Sequence, residues 1–374
     1  MKNKIFKYDF LIIGAGLIGS LAALSLLKRK YSVLIIDKNI ELPQDNRTLA
    51  VNANSKDFLT NLGIWAKLKS KPEPIKKIII KDNINNNPMV FENSREEMGN
   101  VILNNELLKI TNHKLKSKKI LLSGLEIDIS NFLPGKNINI KGKNYNFKNI
   151  ILSLGKKYNF NSSLKKFSFP TDHSSYVGFF SHSINHQQTA YEVFTPQGPL
   201  AVLPAPDKLK KKSTFIYSSK KSLTKNKINL LLKKHFSNTH GSINLFTKIG
   251  QFKILPHFSY DKSNNYILIG DNFRSIHPVA GQGWNLGIKD IQCLDRLIGL
   301  YGCNNPKFIG KYYSQRSLDN IGYLSFTSSI NFIYENQNFF TKFVIKTGFS
   351  VLRNFSLLRN AFIKQAMGRS NLIG

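Results

Sequence analysis

The stretch Asp9-Phe10-Leu11-Ile12-Ile13-Gly14-Ala15-Gly16-Leu17-Ile18-Gly19 decides the fold. Tyr8 to Ile13 is a short run rich in Ile and Leu, as in a strand buried on both faces. Leu17 to Lys30 follows as a helix, with Leu21, Leu24 and Leu27 spaced for its buried side. Tyr31-Ser32 then turns the chain into Val33-Leu34-Ile35-Ile36, which ends on Asp37. Strand, glycine turn, helix, strand and acid together form a βαβ unit built to hold a dinucleotide. Gly14 permits the tight turn, Gly16 lets the backbone approach a pyrophosphate, and Gly19 lets the helix pack on the strand. The helix N-terminus presents unpaired N–H groups to the phosphates, and Asp37 can accept hydrogen bonds from the ribose hydroxyls of an adenosine. The same unit explains why Lys2, Lys4 and Lys7 before the apolar run Phe10 to Leu27 only imitate a signal peptide or a membrane helix.

A second glycine motif lies about 250 residues downstream. Tyr266 to Ile269 reads as a strand running into Gly270-Asp271, and His277-Pro278-Val279-Ala280-Gly281-Gln282-Gly283-Trp284-Asn285-Leu286-Gly287 follows. The first motif alone does not separate NAD from FAD; the second does. Asp271, placed after a strand, can reach the ribityl chain of a flavin. Pro278 fixes the chain against the isoalloxazine. Gly281 to Gly283 lead into a helix whose N-terminal N–H groups suit the negative charge of a reduced flavin.

These residues resemble the FAD-dependent aromatic hydroxylases, and most closely the ubiquinone-biosynthesis hydroxylases related to para-hydroxybenzoate hydroxylase. The family pattern is a GD pair, a His-Pro and an AGQGxNLG run. Asp45-Asn46-Arg47-Thr48-Leu49-Ala50 resembles the family's flavin-contacting arginine segment, and Leu62-Gly63-Ile64-Trp65 the helix end after it. Glu192 to Pro204 resembles the substrate-sheet segment of the ubiquinone subgroup, and Gln365-Ala366-Met367-Gly368 its C-terminal ending. The resemblance implies an FAD site made by Gly14, Gly16, Gly19, Asp37, Arg47, Asp271, Pro278, Gly281, Gln282, Gly283 and Asn285. It implies a monooxygenase that uses O₂ to hydroxylate a polyprenylated phenol, with NAD(P)H or another electron donor. It names no catalytic base.

Two departures stand out. Where the family reads GDAAH, this chain has Gly270-Asp271-Asn272-Phe273-Arg274. Where the family carries an Asp-Gly pair linked to nicotinamide binding, this chain has Ser153-Leu154-Gly155-Lys156-Lys157-Tyr158. Slow direct reduction by NAD(P)H is the expectation. Two other readings stay open: a catalytically impaired scaffold of a ubiquinone-biosynthesis complex, and a flavin-dependent isoprenoid reductase or cyclase on the same fold.

The expected fold is α/β: a Rossmann-like FAD-binding domain, an inserted antiparallel-sheet substrate domain and C-terminal helices. The FAD-binding part is expected over 1–70, 96–160 and 251–310, the substrate sheet over 71–95 and 161–250, and the helical region over 311–374. Residues 41–70 read as a loop and a helix. Alternation in Tyr191-Glu192-Val193-Phe194 and Leu200-Ala201-Val202-Leu203 suggests a sheet with one solvated face.

A hydrophobic fraction of 41% excludes a disordered chain. The formal net charge of +32 raises nucleic acid and anionic membranes as partners. Arg is scarce beside Lys and no nucleic-acid signature is present, so nucleic acid is set aside. The abundance of Lys, Asn and Ile also fits the codon bias of an AT-rich genome. Cys293 and Cys303 form no CxxC, which suits a reducing cytosol. His182 and His186 lack a third ligand at metal spacing and are expected to be surface or sheet residues; no metal is expected. Two basic stretches stand out, Lys208 to Lys234 and Lys342 to Arg369, and the second interleaves Phe339, Phe340, Phe343, Val344, Val351, Leu352, Phe355 and Leu358 with Lys342, Lys346, Arg353 and Arg359. That pattern fits a basic amphipathic helix, so a cytoplasmic protein docked on the inner face of the cytoplasmic membrane is expected.

Overall fold

The computed structural model describes residues 4–42, 47–93, 96–126, 128–129, 132–155, 164–169, 171–245, 247–278 and 281–369. The first glycine motif sits at the centre of a parallel sheet. Numbered along the chain, its strands are β1 (Ile5–Ile13), β2 (Val33–Asp37), β8 (Leu121–Ser123), β10 (Lys143–Leu152) and β19 (Tyr266–Leu268), in the order β19-β10-β1-β2-β8. A sixth strand, β9 (Asn137–Ile140), runs antiparallel to β10. Helices α1 (Leu17–Lys28), α3 (Asn104–Ser117) and α5 (Gln282–Tyr301) cover the sheet. Phe10, Leu11, Ile12, Ile35, Ile150 and Leu268 are fully or nearly fully buried, as a parallel sheet covered on both faces requires.

The second sheet runs β16-β12-β15-β14-β13-β5-β6, with β17 also on β12. Its strands are β5 (Lys77–Asp82), β6 (Met89–Glu92), β12 (Ser174–His182), β13 (Thr189–Thr195), β14 (Gly198–Pro204), β15 (Lys212–Ser219), β16 (Ile243–Asn244) and β17 (Gly250–Lys253). It is antiparallel except where β13 meets β5, which run parallel because they come from two separate excursions of the chain.

The expectation of one solvated face is corrected here, because β13 is buried along its whole length. Tyr191 and Val193 pack with Ile228, Leu232 and Phe236 of α4 (Lys225–His240). Ala190 and Phe194, on the other face, pack with Tyr334 of α6 (Lys307–Glu335) and with α7 (Phe339–Asn354) and α8 (Ser356–Ala366). Alternation survives, but both of its phases meet helices.

Two small sheets join these layers. One is β3 (Thr48–Asn52), β7 (Gly99–Leu103) and β4 (Glu73–Ile75); the other is β11 (Leu164–Ser168), β18 (His257–Asp261) and β20 (Arg274–Ser275). The segment read as loop and helix over 41–70 thus contains strand β3 before helix α2 (Ala53–Asn61). Sheet membership also crosses two expected breaks: β4 pairs with β7, and β17 runs across residue 250 onto β12. Tyr312 and Tyr313 of α6 donate hydroxyl hydrogen bonds to the Leu268 and Tyr266 carbonyls, each at 2.7 Å, and so fix α6 to the central sheet.

Neither His182 nor His186 is on the surface. His182 ends β12, and both are buried beside His240. Among the described residues, no group of three or more His, Cys, Asp or Glu side chains is arranged to hold a metal ion. No described helix is long and apolar enough to cross a membrane.

Candidate active site

Backbone geometry explains the first motif. Gly14 has φ +104°, and a Cβ there would lie 2.3 Å from the Ser153 carbonyl oxygen. A Cβ on Gly19 would lie 2.0 Å from the Gly14 carbonyl oxygen. Both positions therefore exclude a side chain by contact with the protein itself. Gly16 differs, since a Cβ there would meet nothing within 4 Å. It is the N-cap of α1 and provides no side-chain cap, so the first-turn N–H groups keep their binding capacity. Asp37 accepts the Ala15 N–H at 2.6 Å through one oxygen and the Asn39 N–H at 2.8 Å through the other. Gly16, Asp37, Ile40, Leu108 and Asn112 line an open groove beside this loop.

The second motif is locked onto the first. Ile18 of α1 fills the space beside Gly270 and Gly287, and a Cβ on Gly287 would lie 2.6 Å from the Ile18 Cδ1. Asp271 is exposed, while its carbonyl oxygen lies 3.0 Å from His257 Nε2. Gly281 is the N-cap of α5 in the left-handed region, again with no side-chain cap. Gln282 and Gly283 form the first turn and are half-buried, as is Pro278. This helix start therefore points unshared N–H groups at whatever lies in front of it.

Asn285 has a tie to make within the protein. Its amide donates to the Ala50 carbonyl at 2.9 Å and accepts the Asn52 N–H at 3.1 Å, so it holds β3 against α5. At the start of β3, Arg47 is exposed and places its guanidinium 5.0 Å from the Phe252 ring centroid of β17. Asp45 and Asn46 beside it, Val279 and Ala280 in the second motif, and Lys156 to Tyr158 lie outside the described residues. The C-terminal Gln365 to Gly368 segment docks on the same region, where the Asn54 N–H donates to the Met367 carbonyl.

The two departures from the family pattern touch each other. The buried Asn272 side chain accepts a hydrogen bond from the Leu154 N–H and donates to the Gly155 carbonyl at 3.3 Å. A side chain in the GD segment thus braces the loop that lacks the acid. Sequence reading noted both departures without seeing that they are neighbours.

Sequence reading also missed the buried ionic cluster behind Gly270. Asp290 accepts the Gly270 N–H at 3.0 Å, Arg274 Nη1 at 2.6 Å and Arg316 Nε at 2.9 Å. Arg316 also pairs with Asp319 and donates to Asn320 at 3.1 Å. Burial works against the Arg316 charge, but the facing Asp290 and Asp319 carboxylates raise its pKa above the ordinary value. Every side chain in this set is at least nine-tenths buried. The polar spacing of Asp290 and Arg274 gave no hint that α5 and α6 would bury both.

Residues 7–119 match a family profile described as an FAD binding domain. The ubiquinone hydroxylase UbiL of Rhodospirillum rubrum is 23% identical, covering 97% of this chain and 90% of that protein. The ubiquinone biosynthesis monooxygenase COQ6 of Caenorhabditis elegans is 24% identical, covering 80% of this chain and 81% of its own. Among solved structures, p-nitrophenol 4-monooxygenase PnpA from Pseudomonas putida superposes with a TM-score of 0.76 at 12% identity, covering 97% of this chain and 99% of that one, a likeness of fold. The residues present suit the cofactor: an unblocked glycine approach at Gly16, a carboxylate at Asp37, a second helix start at Gly281 without a side-chain cap, and an exposed carboxylate at Asp271. The fold, the paired glycine motifs and the matched FAD binding domain agree: the chain carries an FAD binding domain and is similar along most of its length to FAD-dependent monooxygenases.

Proposed function

We propose that this chain hydroxylates the aromatic ring of a polyprenylated phenol in ubiquinone biosynthesis. Bound FAD, once reduced, supplies the activation of O₂ from which one oxygen atom reaches an electron-rich ring. The protein's residues do the rest. Gly14, Gly16 and Gly19 shape the pyrophosphate seat, and Asp37 orients the glycine loop and faces the ribose. Asp271 meets the ribityl chain, and Pro278, Gly281, Gln282 and Gly283 bring the α5 N-terminus to the flavin ring. Arg47 closes the edge towards the second sheet, and Asn285 keeps β3 in place. Residues 1–70, 96–160 and 251–310 carry FAD, 71–95 and 161–250 form the substrate cover, and 311–374 brace both. The buried sheet strands β13 and β14 exclude water from the ring that reacts.

The observation that carries this reading is the interlock of the two glycine motifs through Ile18, which brings both uncapped helix starts into one site. The Asn272 brace favours an intact site over a decayed scaffold, because the altered loop keeps its hydrogen bonds. A deletion strain should accumulate a prenylated ring lacking one oxygen. Normal ubiquinone in that strain, with no related gene present, refutes the assignment.

The same reading places the chain on the cytoplasmic side of the membrane, docked peripherally on its inner face. Phe339, Phe340, Phe343 and Leu357 are 90%, 70%, 60% and 84% exposed, and Lys342, Lys346, Arg353 and Arg359 stand among them. Such a face suits anionic lipid, where each basic residue contributes about 1 kcal/mol. Replacing Phe339, Phe340 and Phe343 by Ser should abolish co-sedimentation with liposomes containing anionic lipid; unchanged co-sedimentation refutes the docking face.

A further inference from the structure

Three parts of the chain meet at His277. The residue itself stands just before Pro278 and the α5 N-cap, in the segment proposed to seat the flavin. His173, at the start of the second sheet's β12, packs its ring edge-on against it, with centroids 5.5 Å apart. Glu335, the last residue of α6, lies 2.7 Å from His173 Nε2 and 2.9 Å from Lys220 Nζ. The end of α6 is pinned to the sheet by Tyr334, which stacks on Phe194 at 4.3 Å. His277 is therefore at the seam between the flavin segment and the substrate cover.

His277 is 3% exposed, and neither of its ring nitrogens has a hydrogen-bond partner among the described residues. Leaving a buried polar group unpaired costs about 1–3 kcal/mol, so a residue kept in that condition at a site seam suggests a task. Burial, and then the neighbouring His173, push its pKa down to about 4, while Glu335 pulls the other way. At neutral pH the ring is uncharged, with one donor and one acceptor nitrogen. An uncharged hydroxyl, itself one donor and an acceptor, is the complementary ligand. The negative charge of Glu335 is felt at His277 and makes that spot less favourable to an anionic ring substituent.

We infer that His277 hydrogen-bonds the ring hydroxyl of the substrate and so selects a neutral phenol and fixes which ring position faces the flavin. The inference rests on the monooxygenase reading above. It is tested on the FAD-loaded full chain with two probes, phenol and its methyl ether anisole, read by perturbation of the flavin absorbance. The unmodified protein should favour phenol over anisole. His277→Leu should weaken phenol binding about tenfold or more and leave anisole binding unchanged, since a site built around a hydroxyl rejects its absence only through the group that binds it. His277→Gln, which keeps a donor and an acceptor, should restore part of the preference. The FAD content and thermal midpoint of His277→Leu should not fall, because two unpartnered nitrogens have been removed. An undiminished preference for phenol in FAD-loaded His277→Leu overturns the inference alone. Loss of FAD from both variants makes His277 part of the cofactor's seat and also overturns it. Absence of any flavin response to phenol in the unmodified protein overturns the monooxygenase reading and the inference with it.

Discussion

Two glycines three positions apart should respond differently to the same added methyl group. Gly16 has φ −62° and ψ 178°, values open to any residue, and its Cβ would meet nothing within 4 Å. Gly16→Ala should therefore fold normally: the loss of unfolded-chain freedom, about 0.4–1 kcal/mol, is offset by the poorer N-cap that Ala makes, so the apoprotein should change in stability by less than about 1 kcal/mol. The same methyl stands where the pyrophosphate approaches. Displacing it from the first-turn N–H groups removes one or two charge-assisted hydrogen bonds, about 2–4 kcal/mol, or roughly 30- to 1,000-fold in FAD affinity. Gly19→Ala places its Cβ 2.0 Å from the Gly14 carbonyl oxygen. Something must shift, so stability should fall by about 1–3 kcal/mol before any cofactor is considered. The assay is urea denaturation of both apoproteins, paired with FAD titration followed by flavin fluorescence. The reasoning is refuted if Gly16→Ala binds FAD as tightly as the unmodified chain, or if it destabilises the apoprotein as much as Gly19→Ala.

Asp290→Ala should cost about 3–5 kcal/mol in denaturant titrations, because it strands the buried Arg274 and Arg316 guanidiniums; a loss below 1 kcal/mol would show the cluster contributes little. Burial above all, reinforced by the charges of neighbouring histidines, lowers the pKa of His186 and His277 to about 4 and of His240 to about 3. Because the unfolded chain takes up those protons first, stability is complete above pH 6.5 and lost as pH falls through that window. The slope is up to about 1.4 kcal/mol per pH unit for each histidine, and a flat thermal midpoint from pH 6.5 to 4.5 contradicts it. Asp271→Ala should weaken FAD retention by about 1–3 kcal/mol with the fold intact, checked by equilibrium dialysis. Rapid mixing of the oxidised protein with NADPH and a phenol should bleach the flavin slowly; fast bleaching would show that the loop at Ser153-Leu154-Gly155 suffices without the acid.

The βαβ unit was legible because it is local: β1, the glycine turn, α1 and β2 follow one another in sequence, and their burial follows their apolar spacing. The second motif was legible for the same reason. Strand β3 was not, since its partner Gly99–Leu103 lies far along the chain and its short sequence Thr48–Asn52 carries no strong alternation. The double-sided burial of β13 was hidden because apolar and polar phases look alike whether a face meets solvent or a helix. Asn272 is marked in the sequence only as a departure from GDAAH, and His277 only as half of the His-Pro pair. Their roles come from contacts to the loop after β10 and to His173 just before β12, which no spacing in the sequence announces.

The most direct test of the account is a single turnover. FAD-loaded protein holding a short-chain prenylphenol is photoreduced without oxygen, isotopically heavy dioxygen is admitted, and the ring product is analysed by mass spectrometry. One heavy oxygen atom on the ring of each product molecule is the result predicted here. Full reoxidation of the flavin in substrate-saturated protein, with the phenol recovered unchanged, would contradict the assignment of this chain as a phenol hydroxylase.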